Sequence, residues 1–170
     1  MFIVLIGLAA LVWYANAGRI MRQYFMSDRD LRNVHEKVND IVRDVVSQEE
    51  DRRIVTAIIA IESAGIVSAR SPAGAVGLMQ IRQPALDDYN TARGTVWIID
   101  SLIQIPTLNV RVGYYYLQAL ELVHGLDRYD ALRAYNAGIG TVRGDPSGEV
   151  GGGYAVKVLA YAERLEAMRL

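Results

Sequence analysis

Residues 54–63 read IVTAIIAIES, and this stretch decides the fold. Thr56 is the only polar residue between Ile54 and Ile61, so a helix formed here is apolar on almost every face and belongs at the centre of a domain. Glu62 follows directly. A carboxyl group against such a surface is partly desolvated, which raises its pKa and makes it a usable acid near neutral pH. The stretch predicts a buried helix ending in a candidate catalytic acid; a solvated glutamate at a helix end is the alternative.

Upstream of this stretch lies an amphipathic segment, residues 28–50. Its apolar residues recur at spacings of three and four, the repeat of one helix face: Leu31, Val34, Val38, Ile41 and Val45. We expect a helix here. Two interpretations of it are open, a helix packed on the domain or a stalk with coiled-coil character.

The chain begins with an apolar run, MFIVLIGLAALVWYANA, over residues 1–17. As a helix, such a run spans about 25 Å, the lower limit for a bilayer core. We expect an N-terminal hydrophobic helix, for which three interpretations are open. It is a membrane anchor with Trp13 and Tyr14 at the interface, or a signal sequence cleaved after the A-x-A pattern at 15–17. The third is a buried core helix. Because Arg19 and Arg22 follow the run, the positive-inside rule would leave an anchored domain in the cytoplasm; a cleaved signal or a virion protein avoids that conflict.

Downstream, helices are predicted over 109–123, from about 129 to 138, and over 154–170, with glycine-rich loops between them. No stretch shows a convincing strand pattern, so the predicted fold class is all-α. The predicted organisation is a membrane anchor or signal segment over 1–17, an amphipathic helical stalk over 18–50, and a domain over 51–170 that carries the candidate acid.

Composition excludes several classes of function. A net charge of −1 over 170 residues argues against a nucleic-acid binder. The absence of cysteine excludes thiolate catalysis and zinc–thiolate sites, and neither His35 nor His124 has a second histidine at metal-ligand spacing. The sequence has no phosphate-binding loop and no nucleophile elbow. We therefore expect neither a metal nor a cofactor.

Five motifs strengthen the hypothesis that Glu62 is catalytic. In chain order they are Glu62-Ser63 with Ser71-Pro72-Ala73-Gly74-Ala75; Gly77-Leu78-Met79-Gln80-Ile81; Asn109 with Val112-Gly113 and Tyr116-Leu117; Ala134-Tyr135-Asn136-Ala137-Gly138; and Tyr154 with Val156 and Val158-Leu159. Together, over residues 54–162, they resemble the soluble-type lytic transglycosylase (SLT) catalytic domain, a relative of goose-type lysozyme. The resemblance implies a lysozyme-like helical domain.

The resemblance also implies roles for single residues. Glu62 would be the general acid that protonates the glycosidic oxygen, and Ser71 would contact the N-acetyl group near the scissile bond. Gln80 and the backbone around Met79 would form the cleft wall that hydrogen-bonds the sugar.

Further residues in the matching motifs would surround the acid. Tyr135 and Tyr154 would be aromatic hydroxyl groups that flank Glu62, and both would bind substrate, as would Asn136. A structural role, bonding the backbone of neighbouring loops, is the alternative for Asn136 and the expectation for Asn109.

Two stretches depart from the family's pattern. Before Tyr154 the family has a Glu-Thr-Arg-x-Tyr stretch, whereas this chain has glycines, and Glu149 lies one position too far away. A second acidic role in the cleft is therefore not expected of Glu149. After Ile81 the chain continues RQPAL rather than with the family's Met-Pro, which predicts different contacts with substrate.

The function that the resemblance implies is cleavage of peptidoglycan between MurNAc and GlcNAc at the β-1,4 bond, leaving 1,6-anhydroMurNAc ends. A single acid suffices when the substrate's own acetamido group stabilises the cation. The alternatives are hydrolysis, as in goose-type lysozyme, and a non-catalytic peptidoglycan-binding module of an envelope-crossing machine. The implied partners are glycan strands and, through residues 1–17, a membrane. We expect the domain to act on peptidoglycan in the bacterial periplasm or cell envelope. The protein would belong to a phage virion or to a secretion machine.

Overall fold

The structure is a computed structural model that describes residues 25–145 and 147–170. The segment 1–17 that the sequence assigns to a membrane lies outside these residues. The described helices are α1 (Asp28–Arg43), α2 (Glu49–Glu62), α3 (Gln83–Arg93), α4 (Ser101–Gln104), α5 (Pro106–Leu122), α6 (Arg128–Ala137), α7 (Ile139–Arg143) and α8 (Gly152–Ala167). Isolated bridges at Val76, to Arg70 and to Ile81, are the only β pairing in this part of the chain. The all-α prediction is confirmed.

The central helix is α2, as its sequence predicts. Every residue from Ile54 to Ala60 is buried, including Thr56. The helix packs against α1 on one side and α8 on another. A segment with apolar residues on all faces finds partners on all faces, which fixes α2 as the axis of the domain.

Helix α1 lies on the domain. It is capped by Ser27, whose hydroxyl accepts a hydrogen bond from the Asp30 amide at 3.1 Å. Its apolar stripe is buried against α2, α5 and α8: Leu31, Val34, Val38 and Val42. The helix ends at Arg43 rather than at 50. Residues 28–43 are therefore not a free stalk, and a domain boundary at 50 would divide helices that share one core.

The start of the described chain is tied to the last helix. The Phe25 ring packs edge-on against Tyr161 of α8, with 5.7 Å between centroids. Arg164, one turn further along α8, donates to the Met26 carbonyl at 2.8 Å. Among the described helices, none has the length and apolarity needed to cross a membrane.

Three helices were not predicted from the sequence. α3 begins with Pro84 in its first turn and ends at Gly94, which adopts a left-handed conformation at φ 63°. These are ordinary start and stop signals, but residues 82–108 lack the apolar periodicity that would have drawn attention to them. α4 and α7 have only four and five residues, and helices that short depend on tertiary contacts.

The loop between α2 and α3 is joined to α5 through Asn109. This side chain is fully buried; it accepts from the Met79 amide at 2.8 Å and donates to the Val76 carbonyl at 2.9 Å. Gly77 makes room for it, because a Cβ at that position would lie 2.1 Å from the Asn109 amide nitrogen. The loop that carries several of the motif residues is thus held rigidly on α5.

Candidate active site

Glu62 is the last residue of α2, and its neighbour Ser63 fixes that helix end to the following loop. The Ser63 hydroxyl lies 2.8 Å from the Leu78 carbonyl, to which it donates, and it accepts from the Gly65 amide at 3.2 Å. The Ser63 amide donates to the Ile59 carbonyl, completing the last turn. Glu62 is therefore held in a defined position relative to the loop around Leu78.

The Glu62 carboxyl is partly buried, and its pKa is raised from the ordinary value of 4.5. Burial is the main cause, since it disfavours the charged form. The Tyr154 hydroxyl acts in the opposite direction and lowers the pKa. A carboxyl group in this environment can hold a proton at higher pH than a solvated glutamate and can release it to a substrate.

Two tyrosines stand beside this carboxyl. The rings of Tyr135 and Tyr154 are nearly parallel, at 8°, with centroids 6.5 Å apart. The Tyr135 hydroxyl donates to the Met79 carbonyl at 2.9 Å. Both hydroxyls have pKa values raised well above the ordinary value, first by burial and next by the negative charge of Glu62. Both therefore stay protonated.

The Tyr154 hydroxyl is in an unusual position. Within residues 25–145 and 147–170, no group meets hydrogen-bond geometry with this buried oxygen. It nevertheless lies near enough to Glu62 for each group to shift the pKa of the other. Hydrogen bonding from this hydroxyl to the charged carboxylate is what lowers the Glu62 pKa, so Glu62 is the acceptor nearest to satisfying it.

Ser71 lies in a tight turn. Its amide donates to the Ala75 carbonyl at 2.9 Å, and its side-chain oxygen accepts from the Ala75 amide at 3.0 Å. Because the hydroxyl serves the turn as an acceptor, its own proton remains available to a ligand.

Gln80 and Met79 are more deeply involved in the loop than the sequence predicts. Gln80 adopts a left-handed backbone, φ 49°, and its side-chain nitrogen Nε2 donates to the carbonyls of Gly77 at 3.0 Å and Ala69 at 3.3 Å. The Met79 side chain is fully buried, and its amide and carbonyl are bonded to Asn109 and Tyr135. Met79 therefore forms the base of the loop rather than an open wall.

A cavity of about 320 Å³ opens next to these residues. Gln80, Tyr116, Tyr135 and Asn136 line it, and Asn136 is exposed there. Residues of the first turns of α3, including Asp88, also line the cavity, as does Arg82, which comes just before this helix. The structure thus brings Gln80, Tyr135 and Asn136 together around one space. Glu62 and Tyr154 do not line this cavity; they adjoin Tyr135, whose ring stacks on Tyr154 and whose pKa is raised by burial and then by the charge of Glu62.

The sequence analysis did not single out Arg82 or Asp88, which line this cavity. Both lie in the stretch after Ile81, where the chain departs from the family's pattern. The sequence shows that this stretch departs from the family's pattern, but nothing in the local sequence shows that α3 lines the cavity.

The sequence also missed Arg133, which is buried in α6 next to the Ala134-Tyr135 motif. It pairs with Asp145 at 2.6 Å and with Asp130 at 2.7 Å, and it donates to the Val150 carbonyl at 2.9 Å. Asp145 in turn accepts hydrogen bonds from the Ser147 hydroxyl and the Val150 amide. These bonds lower the Asp145 pKa, and the bond from the Ser147 hydroxyl contributes most. This cluster holds the glycine-rich loop that leads into α8.

The same loop brings α8 and Tyr154 to the acid. Gly151 adopts φ 73°, and a Cβ there would lie 2.8 Å from the Arg133 carbonyl. Glu149 is exposed in this loop. Over the described ranges, no three carboxylate or histidine side chains lie close enough to share a metal ion.

Comparison with known proteins places this arrangement in one group. Residues 44–149 match the family model described as the transglycosylase SLT domain. Membrane-bound lytic murein transglycosylase E of Buchnera aphidicola is 25% identical over 107 residues, covering 60% of this chain and 48% of that protein. Endo-type membrane-bound lytic murein transglycosylase A of Klebsiella pneumoniae is 39% identical over 74 residues, covering 42% of this chain and 36% of that protein.

The fold is also similar to a solved structure, the 70 kDa soluble lytic transglycosylase of Escherichia coli. The TM-score is 0.67 at 29% identity, over 77% of this chain and 24% of that one. This chain therefore spans less than half the length of these relatives.

Proposed function

The chain belongs to the transglycosylase SLT domain family, and from that premise we propose that it is a peptidoglycan lytic transglycosylase. Its reaction breaks the β-1,4 bond between MurNAc and GlcNAc and leaves a 1,6-anhydroMurNAc end. One observation carries the proposal: a partly buried carboxyl of raised pKa, Glu62, lies at the end of the central helix beside the Tyr154 hydroxyl.

The proposed chemistry needs one acid that works twice. Protonated Glu62 donates its proton to the glycosidic oxygen, which leaves as the 4-hydroxyl of GlcNAc. The Glu62 carboxylate then accepts the proton of the muramoyl 6-hydroxyl while that oxygen bonds to the anomeric carbon. The acid is regenerated and no water is consumed. A raised pKa suits both steps, because the protonated and ionised forms are then both accessible near neutral pH.

The positive charge that develops at the anomeric carbon needs a stabilising group. In this proposal the substrate's 2-acetamido oxygen supplies it, as in substrate-assisted glycosidases. The Ser71 hydroxyl, with its proton available, is suited to hold that acetamido group. Tyr154 donates toward Glu62 when the carboxylate forms.

The decisive experiment is the mass of the product ends after digestion of purified glycan strands. Anhydro ends, one water lighter than reducing ends, support the proposal. Reducing ends would instead assign the hydrolytic activity of goose-type lysozymes. Binding without any cleavage, equal for the natural protein and Glu62→Gln, would assign a non-catalytic peptidoglycan-binding module.

We also propose that residues 1–17 attach the protein to a membrane, so that the domain acts on peptidoglycan in the cell envelope. The uniform apolarity of this run supports the proposal, and the two curated relatives are named as membrane-bound proteins. A phage virion or a secretion machine is the proposed setting. Partitioning of the full chain into detergent, compared with a chain lacking residues 1–17, tests the attachment.

A further inference from the structure

Arg82 stands at the edge of the cavity that Gln80 and Tyr135 line. It is exposed, and it occupies the position just before α3 with an extended backbone, φ −101° and ψ 159°. Gln80, two residues earlier, is fixed by its bonds to the loop, and α3 is fixed on α5. The backbone of Arg82 is therefore anchored on both sides while its side chain is free to meet a ligand.

The charge of this side chain is not used inside the protein. Within residues 25–145 and 147–170, Arg82 forms no ion pair, whereas Arg128 and Arg133 each pair with two carboxylates. Asp88 borders the same cavity and lies close to Tyr116. The Tyr116 pKa is raised mainly by burial and, to a smaller extent, by the negative charge of Asp88. Arg82 and Asp88 thus face the cavity as separate charges.

We propose that Arg82 is a substrate-binding residue that pairs with a carboxylate carried by the muramoyl substituent of the glycan. The proposal rests on the proposed function, because it takes the cavity as part of the glycan-binding cleft. A guanidinium presents its donors in a planar fork that matches a carboxylate in two parallel hydrogen bonds. Muramoyl residues carry such a group either as the free lactyl carboxylate or within the stem peptide attached to it.

Binding is measured in the Glu62→Gln background, so that no strand is cleaved, with three kinds of soluble glycan strand. The first carries stem peptides, the second has lost them to an amidase and exposes lactyl carboxylates, and the third has every carboxylate converted to a neutral amide. We expect Arg82→Met to weaken binding of at least one anionic strand about 2- to 10-fold, the range for an exposed charge pair with good geometry. Binding of the neutral strand is expected to stay unchanged.

Matched variants sharpen this test. Arg111→Met removes an exposed arginine from α5, at a separate cavity, and is expected to change none of the three affinities. Arg82→Lys keeps the charge but loses the fork, so an intermediate affinity is expected. In the active protein, Arg82→Met is expected to raise KM for anionic strands by the same factor and to leave kcat unchanged. Added salt is expected to reduce the difference.

The strand that responds identifies the carboxylate. A response confined to peptide-bearing strands assigns it to the stem peptide, and a response of peptide-free strands assigns it to the lactyl group. Equal weakening for anionic and neutral strands, or no weakening at all, overturns the proposal. The proposal is also overturned if Asp88→Asn weakens binding and Arg82→Met does not, because the cavity would then recognise a positive charge on the strand.

The two proposals can fail separately. If the natural protein cleaves all three strands and Arg82→Met alters nothing, the reaction stands and the carboxylate site is wrong. If no strand is cleaved and the Arg82 dependence of binding remains, the site stands and the reaction is wrong.

Discussion

At Glu62, the raised pKa that suits a proton donor is linked to a loss of stability of the folded protein. Its pKa is raised in the folded protein, so between the unfolded and folded values the folded state binds more protons than the unfolded chain. Stability therefore falls as pH rises through that window. An ionised, partly buried Glu62 is a stability cost that a neutral amide does not carry.

The first prediction is that Glu62→Gln lowers the cleavage rate about 10²–10⁴-fold and makes the protein more stable at neutral pH. The gain in unfolding free energy is expected to shrink as pH falls toward 4.5 and to vanish below it, where the carboxyl is protonated in both states. Denaturant unfolding across this range checks it. A variant that is less stable at neutral pH, or one that remains active, contradicts the assignment.

The second prediction concerns Tyr154→Phe. Because the Tyr154 hydroxyl lowers the Glu62 pKa, its removal should raise that pKa and move the alkaline limb of the pH–rate profile to higher pH. Where Glu62 is protonated, stability should stay the same or rise, since no group among the described residues meets hydrogen-bond geometry with this hydroxyl. Where Glu62 is ionised, stability should fall, because the hydroxyl no longer favours the carboxylate.

Tyr135→Phe is the matched control. It loses a formed bond to the Met79 carbonyl, and we expect it to cost about 0.5–1.5 kcal/mol of unfolding free energy. A Tyr154→Phe protein that melts earlier than Tyr135→Phe, with an unmoved pH profile, would make Tyr154 a structural residue.

At this scale the sequence analysis singled out Glu62, whose catalytic role stays a prediction, and did not single out Arg82 or Arg133. Glu62 stands out in the sequence because it directly follows the apolar stretch from Ile54 to Ile61. Arg133 pairs with Asp145, and Arg82 lines the same cavity as Tyr135; no local sequence pattern indicates either relation. Nor does local sequence show that the Met79 backbone is already bonded by Asn109.

Among the elements, the glycine-rich loop before α8 depends on one buried cation. Arg133 joins it to α6 through Asp145 and the Val150 carbonyl. The third prediction is that Arg133→Met exposes residues 145–151 to proteolysis and lowers kcat more than it raises KM, because α8 then no longer holds Tyr154 against Glu62. Limited proteolysis with mapped cleavage sites and steady-state kinetics check it.

The partner variant Asp145→Asn controls for a general loss of fold. A double variant that is no worse than Arg133→Met alone is expected, because the Arg133–Asp145 pair is already lost in that single variant. Additive effects, or proteolysis spread evenly over the chain, would contradict a role confined to this loop.

Prediction of the elements succeeded where burial imposes a repeat. α5 and α8 were located to within about three residues because each presents an apolar face, whereas α2 begins at Glu49, ahead of the apolar stretch that starts at Ile54. α1 was predicted too long, since Val45 and Val46 continue the apolar pattern although the helix ends at Arg43. α3 was missed because its two buried residues, Leu86 and Tyr89, form too short a stripe.

For the molecule as a whole, the position of α1 decides where the chain can be shortened. The fourth prediction is that a protein starting at residue 25 folds and keeps its cleavage activity, whereas one starting at residue 51 does not fold. The shorter protein loses five buried side chains, those of Leu31, Val34, Val38, Val42 and Val46. At about 1.5–3 kcal/mol each, their loss is comparable to the whole stability of a domain, about 5–15 kcal/mol.

Circular dichroism and thermal melting of both proteins provide the measurement. A protein starting at residue 27 is the intermediate control, since it lacks the Phe25 and Met26 contacts to α8 but retains α1. We expect it to fold with a lower melting temperature. Cooperative folding of the protein that starts at residue 51 would show that α1 is an accessory to the domain.

The direction of α2 has a consequence for charge. The peptide dipoles of a helix add to a macrodipole that favours anions at its amino end and disfavours them at its carboxyl end. Glu49, Glu50 and Asp51 occupy the first turn of α2, whereas Glu62 closes the last. The field of one helix therefore stabilises three carboxylates at one pole and assists protonation of a fourth at the other. Reversing the chain direction of this helix, with the same side chains in the same places, would lower the Glu62 pKa and weaken it as a proton donor, although burial would still raise that pKa.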